Sequence, residues 1–198
     1  MDRLEKQMEF LIEIDQLKQI TRQNYLADGS RKENDAEHSW HLAVMAILLR
    51  EHDRGEDSLD LLKVIKMVLI HDIVEIDAGD TYCYDEEEIE GKLEDEQKAA
   101  DRLFSLLPLD QAREFRELWE EFEERITPEA RFAAALDRLQ PLTLNYMAGG
   151  KSWKEHHIAL SQVLERNSSI GDSSPDLWDF ASKIIQEAVN QGYIRKDR

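Results

Sequence analysis

Lys66-Met67-Val68-Leu69-Ile70-His71-Asp72-Ile73-Val74-Glu75-Ile76-Asp77-Ala78-Gly79-Asp80 is the stretch on which the reading of the chain turns. Leu61, Leu62, Ile65, Val68 and Leu69 lead through it at i, i+3, i+4, i+7 spacing, which predicts an amphipathic helix. The apolar run ends in adjacent His71 and Asp72, and acidic side chains follow at Glu75, Asp77 and Asp80. A helix that only packs has no need of an imidazole and a carboxylate where its apolar face ends. One neutral nitrogen and one anionic oxygen suit a divalent metal. Such an ion needs further donors from elsewhere in the chain.

Upstream, Leu4, Met8, Leu11, Ile12, Ile14, Leu17 and Ile20 predict a helical face buried across 3–20. Residues 21–34 break that pattern and read as a loop carrying Arg22, Arg31 and Lys32, a cationic patch in an acidic chain. Asn34 or Asp35 can cap the next helix, which runs to about Glu51 with Trp40, Ala43, Val44, Ile47 and Leu48 inward. Downstream, 85–107 predict a long acidic helix with Leu93, Ala100, Leu103, Phe104 and Leu107 as its inner stripe. A helix over 110–125 buries Phe115, Leu118, Trp119 and Phe122. Thr127 caps and Pro128 opens another, with Phe132, Ala135, Leu136, Leu139 and Leu142 inward, Pro141 a kink point and Gly149-Gly150 its end. Two further helices cover 153–166 and 175–190. No alternating strand pattern exceeds a few residues, so the expected fold class is all-α, with seven to nine helices in one domain.

Composition narrows the function. The 198 residues suffice for one sizeable core. A net charge of -18 argues against nucleic acid or an anionic membrane as partner, since both need a positive footprint. Cys83 is the sole cysteine, so no intrachain disulfide forms and a reducing compartment fits. Met1 to Lys6 lacks a signal-peptide layout, and the apolar run Leu42 to Leu49 is far short of the ~20 residues that span a bilayer. A cytoplasmic protein is expected.

Two residues stand out as further donors. His38 begins an apolar helix, where a buried imidazole needs a partner. Asp137 sits among core-like residues, where an unpaired carboxylate is costly. Glu75 and Asp80 follow His71 by four and nine positions and can reach the same cleft. His41 competes with His38 but can equally line the helix surface. His156-His157 and His52 lie in polar segments and read as solvated. Cys83, between Tyr82 and Tyr84, has no base near it in sequence and reads as a spectator.

His38, His71-Asp72 and Asp137, in that order on three helices, resemble the H…HD…D signature of HD-domain metal-dependent phosphohydrolases. Glu33-Asn34-Asp35-Ala36-Glu37-His38-Ser39, the stretch 68–80, and Thr127-Pro128-Glu129-Ala130-Arg131-Phe132 leading into 136–141 are similar to small HD proteins grouped with bacterial 5'-deoxynucleotidases. The resemblance spans roughly residues 5 to 195. It implies a single HD domain over 1–198, with a core at about 5–150 and C-terminal helices at 151–195 packed on it. It also implies His38, His71, Asp72 and Asp137 as metal ligands, Glu75 and Asp80 as catalytic acids, Arg22 as the arginine on the substrate phosphate, and a homodimer, for which Trp119 and Trp178 offer apolar area. In one respect the chain departs from these relatives. They carry an aromatic residue directly after that arginine, whereas Gln23-Asn24-Tyr25 follows here.

The chemistry is consistent with that set. Two neutral imidazoles and two carboxylates cancel the charge of one divalent ion, and a mixed nitrogen–oxygen set suits Mn, Co, Fe, Ni or Zn better than Ca. Such an ion polarises a phosphoryl oxygen and makes water a nucleophile near neutral pH. Arg22 is the foremost cation for an anionic substrate, ahead of Arg31, Lys32 and Arg138. The expected activity is phosphate release from (deoxy)nucleoside 5'-monophosphates. The rivals are hydrolysis of another phosphorylated small molecule, such as a cyclic nucleotide or alarmone, and a non-catalytic helical interaction module with a structural metal.

Overall fold

Asp2 opens the first helix, α1 (Arg3–Glu13), through a capping box with Glu5. The computed structural model describes residues 2–54, 59–84 and 91–197. Within them, α1 leads through a 3-10 turn (Ile14–Gln19) to the antiparallel strands β1 (Thr21–Tyr25) and β2 (Lys32–Asn34). The helices α2 (Asp35–Leu49), α3 (Leu61–Ile70) and α4 (Glu75–Ala78) follow, the last two joined by a 3-10 segment, His71–Val74. Next come α5 (Lys92–Phe104), α6 (Leu109–Glu124) and α7 (Pro128–Met147). The chain then finishes with α8 (Lys151–Glu155), α9 (Leu160–Asn167), α10 (Ile170–Ser173) and α11 (Pro175–Asn190). The fold is all-α with one two-stranded hairpin.

The central element is α7. Thr127 caps it and Pro128 occupies its first turn. Ala130, Phe132, Ala133, Ala134, Ala135, Leu136, Leu139 and Leu142 are all buried, so the helix packs on most of its circumference. Its neighbours are β1, α2, α3, α6, α8, α9, α10 and α11. It runs through Pro141. Proline lacks the N–H that would otherwise bond the carbonyl four residues back, which belongs to Asp137.

Several expectations are corrected. Residues 21–34 form a hairpin, not a loop. Its inward residue is Asn24, buried by donating to Glu33 Oε2 at 2.8 Å. A strand whose buried position is polar leaves no trace in hydropathy. On α2 the expected inner face is reversed: Trp40 and Leu48 are 65% and 67% exposed, while Asp35, His38, Ser39, Leu42 and Ala46 are buried. The second half of α2 is apolar all round, and polar site residues claim the interior. Phe10 and Leu17 bury the N-terminal segment, whereas Leu4, Met8, Leu11 and Ile12 are exposed. Leu62, Leu69 and Leu93 likewise face outward.

The expected inner stripe of the acidic helix holds at Ala100, Leu103, Phe104 and Leu107; its predicted start, 85–90, lies outside the described residues. Trp119 is 2% exposed, so it offers no interface area. The predicted helix over 153–166 is two, α8 and α9. His157 between them adopts a positive φ of 55°, which ends the first.

Candidate metal centre

Three helices deliver the expected donors to one place. Asn34 caps α2 through a capping box with Glu37, which fixes His38 in the first turn, facing inward. α3 ends at Ile70, and His71 and Asp72 begin the tighter 3-10 turn that follows. Asp137 projects from the middle of α7.

The inner nitrogens face carboxylate oxygens. His38 Nε2 lies 3.0 Å from Asp137 Oδ1 and 3.9 Å from Asp72 Oδ2. His71 Nε2 lies 3.1 Å from Asp72 Oδ1 and 3.7 Å from Asp137 Oδ1. One ligand atom from each of His38, His71 and Asp137 falls within 4.8 Å of the others. The outer nitrogens are occupied. His71 Nδ1 donates to the Val68 carbonyl at 3.0 Å. His38 Nδ1 lies 3.1 Å from Gln140 Oε1, whose own Nε2 donates to Glu33 Oε1 at 2.6 Å. That donation assigns Oε1 as the acceptor toward His38, so both imidazoles turn an Nε2 lone pair inward.

This arrangement fits a divalent cation. His71 Nε2 is buried with no hydrogen-bond partner although an oxygen of Asp72 is near. Lone pairs of nitrogen and carboxylate oxygen aimed at one another repel unless a positive charge lies among them. The electrostatics carry the same demand. Burial alone would depress the His71 pKa, but Asp72 and Asp137 outweigh it and push it up to about 10. Asp72 and Asp137 are held well below the usual carboxylate range: the neighbouring imidazoles, with Arg22 at Asp72, outweigh the cost of burial. Two anions fixed beside two imidazoles attract either a proton or a metal ion.

A second carboxylate layer backs the first. Asp35, Asp72 and Glu75 also bring one oxygen each within 4.8 Å. Burial and then the charge of Asp72 raise the Glu75 pKa well above its ordinary value and raise Asp35 to about 7. Asp80 rises to about 6, through burial and Asp72, against the pull of Arg22. Lys92 Nζ stands 3.8 Å from Glu75 Oε1 and 3.1 Å from Glu96 Oε1.

Arg22 is not a free cation. Its NH1 donates to Asp72 Oδ2 at 2.7 Å and to Asp35 Oδ1 at 3.0 Å, so it clamps the acidic layer. Arg31 pairs with Glu37, and Lys32 donates to Gln23. His41 touches Gln140 through Nδ1 at 3.2 Å and therefore supports His38 from behind. His52 is half-exposed beside Asp176, and His156 and His157 are exposed, as expected.

Sequence reasoning missed Glu33, Asp35, Gln140 and Asn24. Their partners are 9 to 107 residues away, and only a buried polar chain reveals them. Arg22, Asp80, Asp137 and Arg138 line one open cleft. Cys83, Tyr82, Tyr84 and Trp153 form its more apolar wall.

All these residues fall within 14–178, the stretch that matches the family model of the HD domain; the chain belongs to that family. The solved structure of a protein from Magnetospirillum magnetotacticum, described as a predicted metal-dependent phosphohydrolase, is 51% identical. It covers 98% of this chain and 96% of that one, with a TM-score of 0.93. A 5'-deoxynucleotidase of Xenopus laevis is 31% identical over 187 residues, 84% of this chain and 90% of that protein. A 5'-deoxynucleotidase of Bos taurus is 31% identical over 134 residues, 67% of this chain. The chain spans 63% of the length of that bovine relative. No helix among the described residues is long and apolar enough to cross a membrane.

Proposed function

We propose that this chain is a metal-dependent phosphomonoesterase that releases phosphate from nucleoside 5'-monophosphates, deoxy forms included. The observation that carries the reading is the convergence of His38 Nε2, His71 Nε2 and an Asp137 oxygen at a cleft lined by Asp80. The relatives named above support the substrate class.

In this reading His38, His71, Asp72 and Asp137 hold one divalent ion, with Mn, Co, Fe, Ni or Zn suited to the donor set. When bound, the ion polarises a phosphoryl oxygen and assists water as nucleophile near neutral pH. Asp80 is the acidic side chain that lines the cleft beside Asp137. With a pKa near 6, it exchanges a proton with water or the leaving oxygen close to neutral pH. Glu75 is 5% exposed, with a carboxylate oxygen within 4.8 Å of one of Asp72, and is the second catalytic acid of this reading. Arg22 fixes the Asp72 carboxylate through the bond already described, so that Asp72 presents its other oxygen toward His71. The aromatic wall offers a surface for a base. Residues 1–198 act as one HD domain, and α8 and α9 complete the cleft opposite α7.

Phosphate release tests the reading. Metal-supplemented protein is offered ribo- and deoxynucleoside 5'-monophosphates, cyclic nucleotides and an alarmone. Release from monoesters without cleavage of diesters or pyrophosphates is expected. Activity confined to the other compounds would overturn the substrate class.

A further inference from the structure

The cleft has a cationic pole that the metal site does not use. Arg138 follows Asp137 on α7, and Arg166 lies in the last turn of α9; both line the cleft. Neither forms a hydrogen bond or ion pair with any described residue. Arg138 Nε is buried and without a hydrogen-bond partner, as is Arg125 Nε behind it. Arg125 and Arg166 set like charges against Arg138, which the adjacent Asp137 opposes. Arg138 and Arg166 are both half-buried, and cations withdrawn from water without a partner call for an anion. The helix dipole at the end of α9 supplies only about half a negative charge, too little to neutralise two guanidiniums.

The charge around the metal site explains what the pole is for. Two imidazoles and two carboxylates leave a divalent ion nearly neutral. Arg22 is compensated by Asp35 and Asp72. Glu75 and Asp80 then add negative charge that Lys92, 3.8 Å from Glu75, offsets only in part, so the metal end of the cleft attracts a dianion weakly. A neutral base needs no paired guanidiniums, but a phosphate dianion matches them in charge and in fork geometry.

We infer that Arg138 and Arg166 bind the substrate phosphate in the cleft that Arg22 also lines, adding uncompensated charge to that of Arg22, which also positions the ligand Asp72. This rests on the reading of the cleft as a phosphate-ester site. On α7 the cleft face continues from Asp137 and Arg138 to Asn145, about 12 Å at 1.5 Å per residue. The phosphate thus sits at one end, beside Asp137, with the rest of the substrate extending toward Asn145.

The test is calorimetric titration of manganese-loaded protein with inorganic phosphate, for the wild type, Arg138→Gln, Arg166→Gln and the double variant. Metal content and melting temperature are measured alongside. Each single variant is expected to bind phosphate about tenfold more weakly, the double variant more weakly still, all with the wild-type metal content. Arg138→Lys keeps the charge without the fork and falls between. Unchanged phosphate affinity in a folded, metal-replete Arg166→Gln or double variant overturns the inference. So does a changed preference among bases with phosphate affinity unaltered, because the arginines would then read the base. A wild type that binds phosphate through these arginines but hydrolyses no nucleotide overturns the substrate reading and leaves the inference standing.

Discussion

His38 Nδ1 and Gln140 Oε1 lie 3.1 Å apart across the α2–α7 interface, and this contact sets which nitrogen of His38 faces the metal centre. Gln140 is itself fixed by Glu33, 107 residues away from it, so the imidazole is oriented through α7. Gln140→Leu removes the acceptor and leaves His38 Nδ1–H and Glu33 Oε1 without their partners in the interior, while Glu33 Oε2 keeps its bond from Asn24. Metal affinity is expected to fall about 10- to 100-fold, and stability by about 1–3 kcal/mol. Competition with a fluorescent chelator and urea denaturation measure the two effects. Unchanged affinity would show that Gln140 does not orient His38.

Arg22 and Asp35 form the second pair whose loss is diagnostic. The Asp35 side chain is fully buried and that of Arg22 is 13% exposed. Arg22→Gln leaves a buried carboxylate without its cation, and a loss of about 3–5 kcal/mol is expected. Asp35→Asn added to it should restore part of that stability, because Asp72 still lacks the Arg22 guanidinium. A double-mutant cycle with no coupling would contradict the clamp.

The orientation of α2 is testable by two leucines one and a half turns apart. Leu42 is fully buried and Leu48 largely exposed. Leu42→Ala is expected to cost about 2–5 kcal/mol and Leu48→Ala less than about 0.5 kcal/mol. Comparable losses in chemical denaturation would return the helix to the orientation that hydropathy predicts.

That helix marks where the sequence was legible. His38, His71, Asp72 and Asp137 stood out because each is an ionisable residue in an otherwise apolar stretch, and the four side chains meet one another in the fold. Thr127, Pro128, Leu136 and Leu139 announced α7 through capping and period. The face of α2 was hidden because its buried residues include Asp35, His38 and Ser39, whose interior place depends on partners in other elements. The hairpin was hidden for the same reason at Asn24. Arg22 was identifiable as a site residue but not as a clamp, since Asp35 reads as one more helix-start acid until its burial is known. Arg138 looked like a surface cation because nothing in one dimension shows that it lines the cleft with no ion-pair partner among the described residues.

Asp80 gives the stability a pH signature in chelator-treated protein. Its pKa is about 6 in the fold against an ordinary 3.8, raised first by burial and then by Asp72. A carboxyl raised in the folded state binds more protons there than when unfolded, so stability falls as pH climbs between these values. The loss persists above the folded pKa. Asp80→Asn should therefore stabilise the metal-free protein near neutral pH by at most about 2 kcal/mol, after allowance for solvent screening. The gain should vanish near pH 4. A gain that grows toward acid would give the shift the opposite sign.

The central claim is that His38, His71, Asp72 and Asp137 together hold a divalent ion. Its most direct test is manganese titration of chelator-stripped protein, comparing the wild type with His71→Ala by calorimetry at matched fold. Tight binding in the wild type, weakened at least about 100-fold in the variant, is the predicted result. Equal manganese affinity in a folded His71→Ala protein would contradict the account.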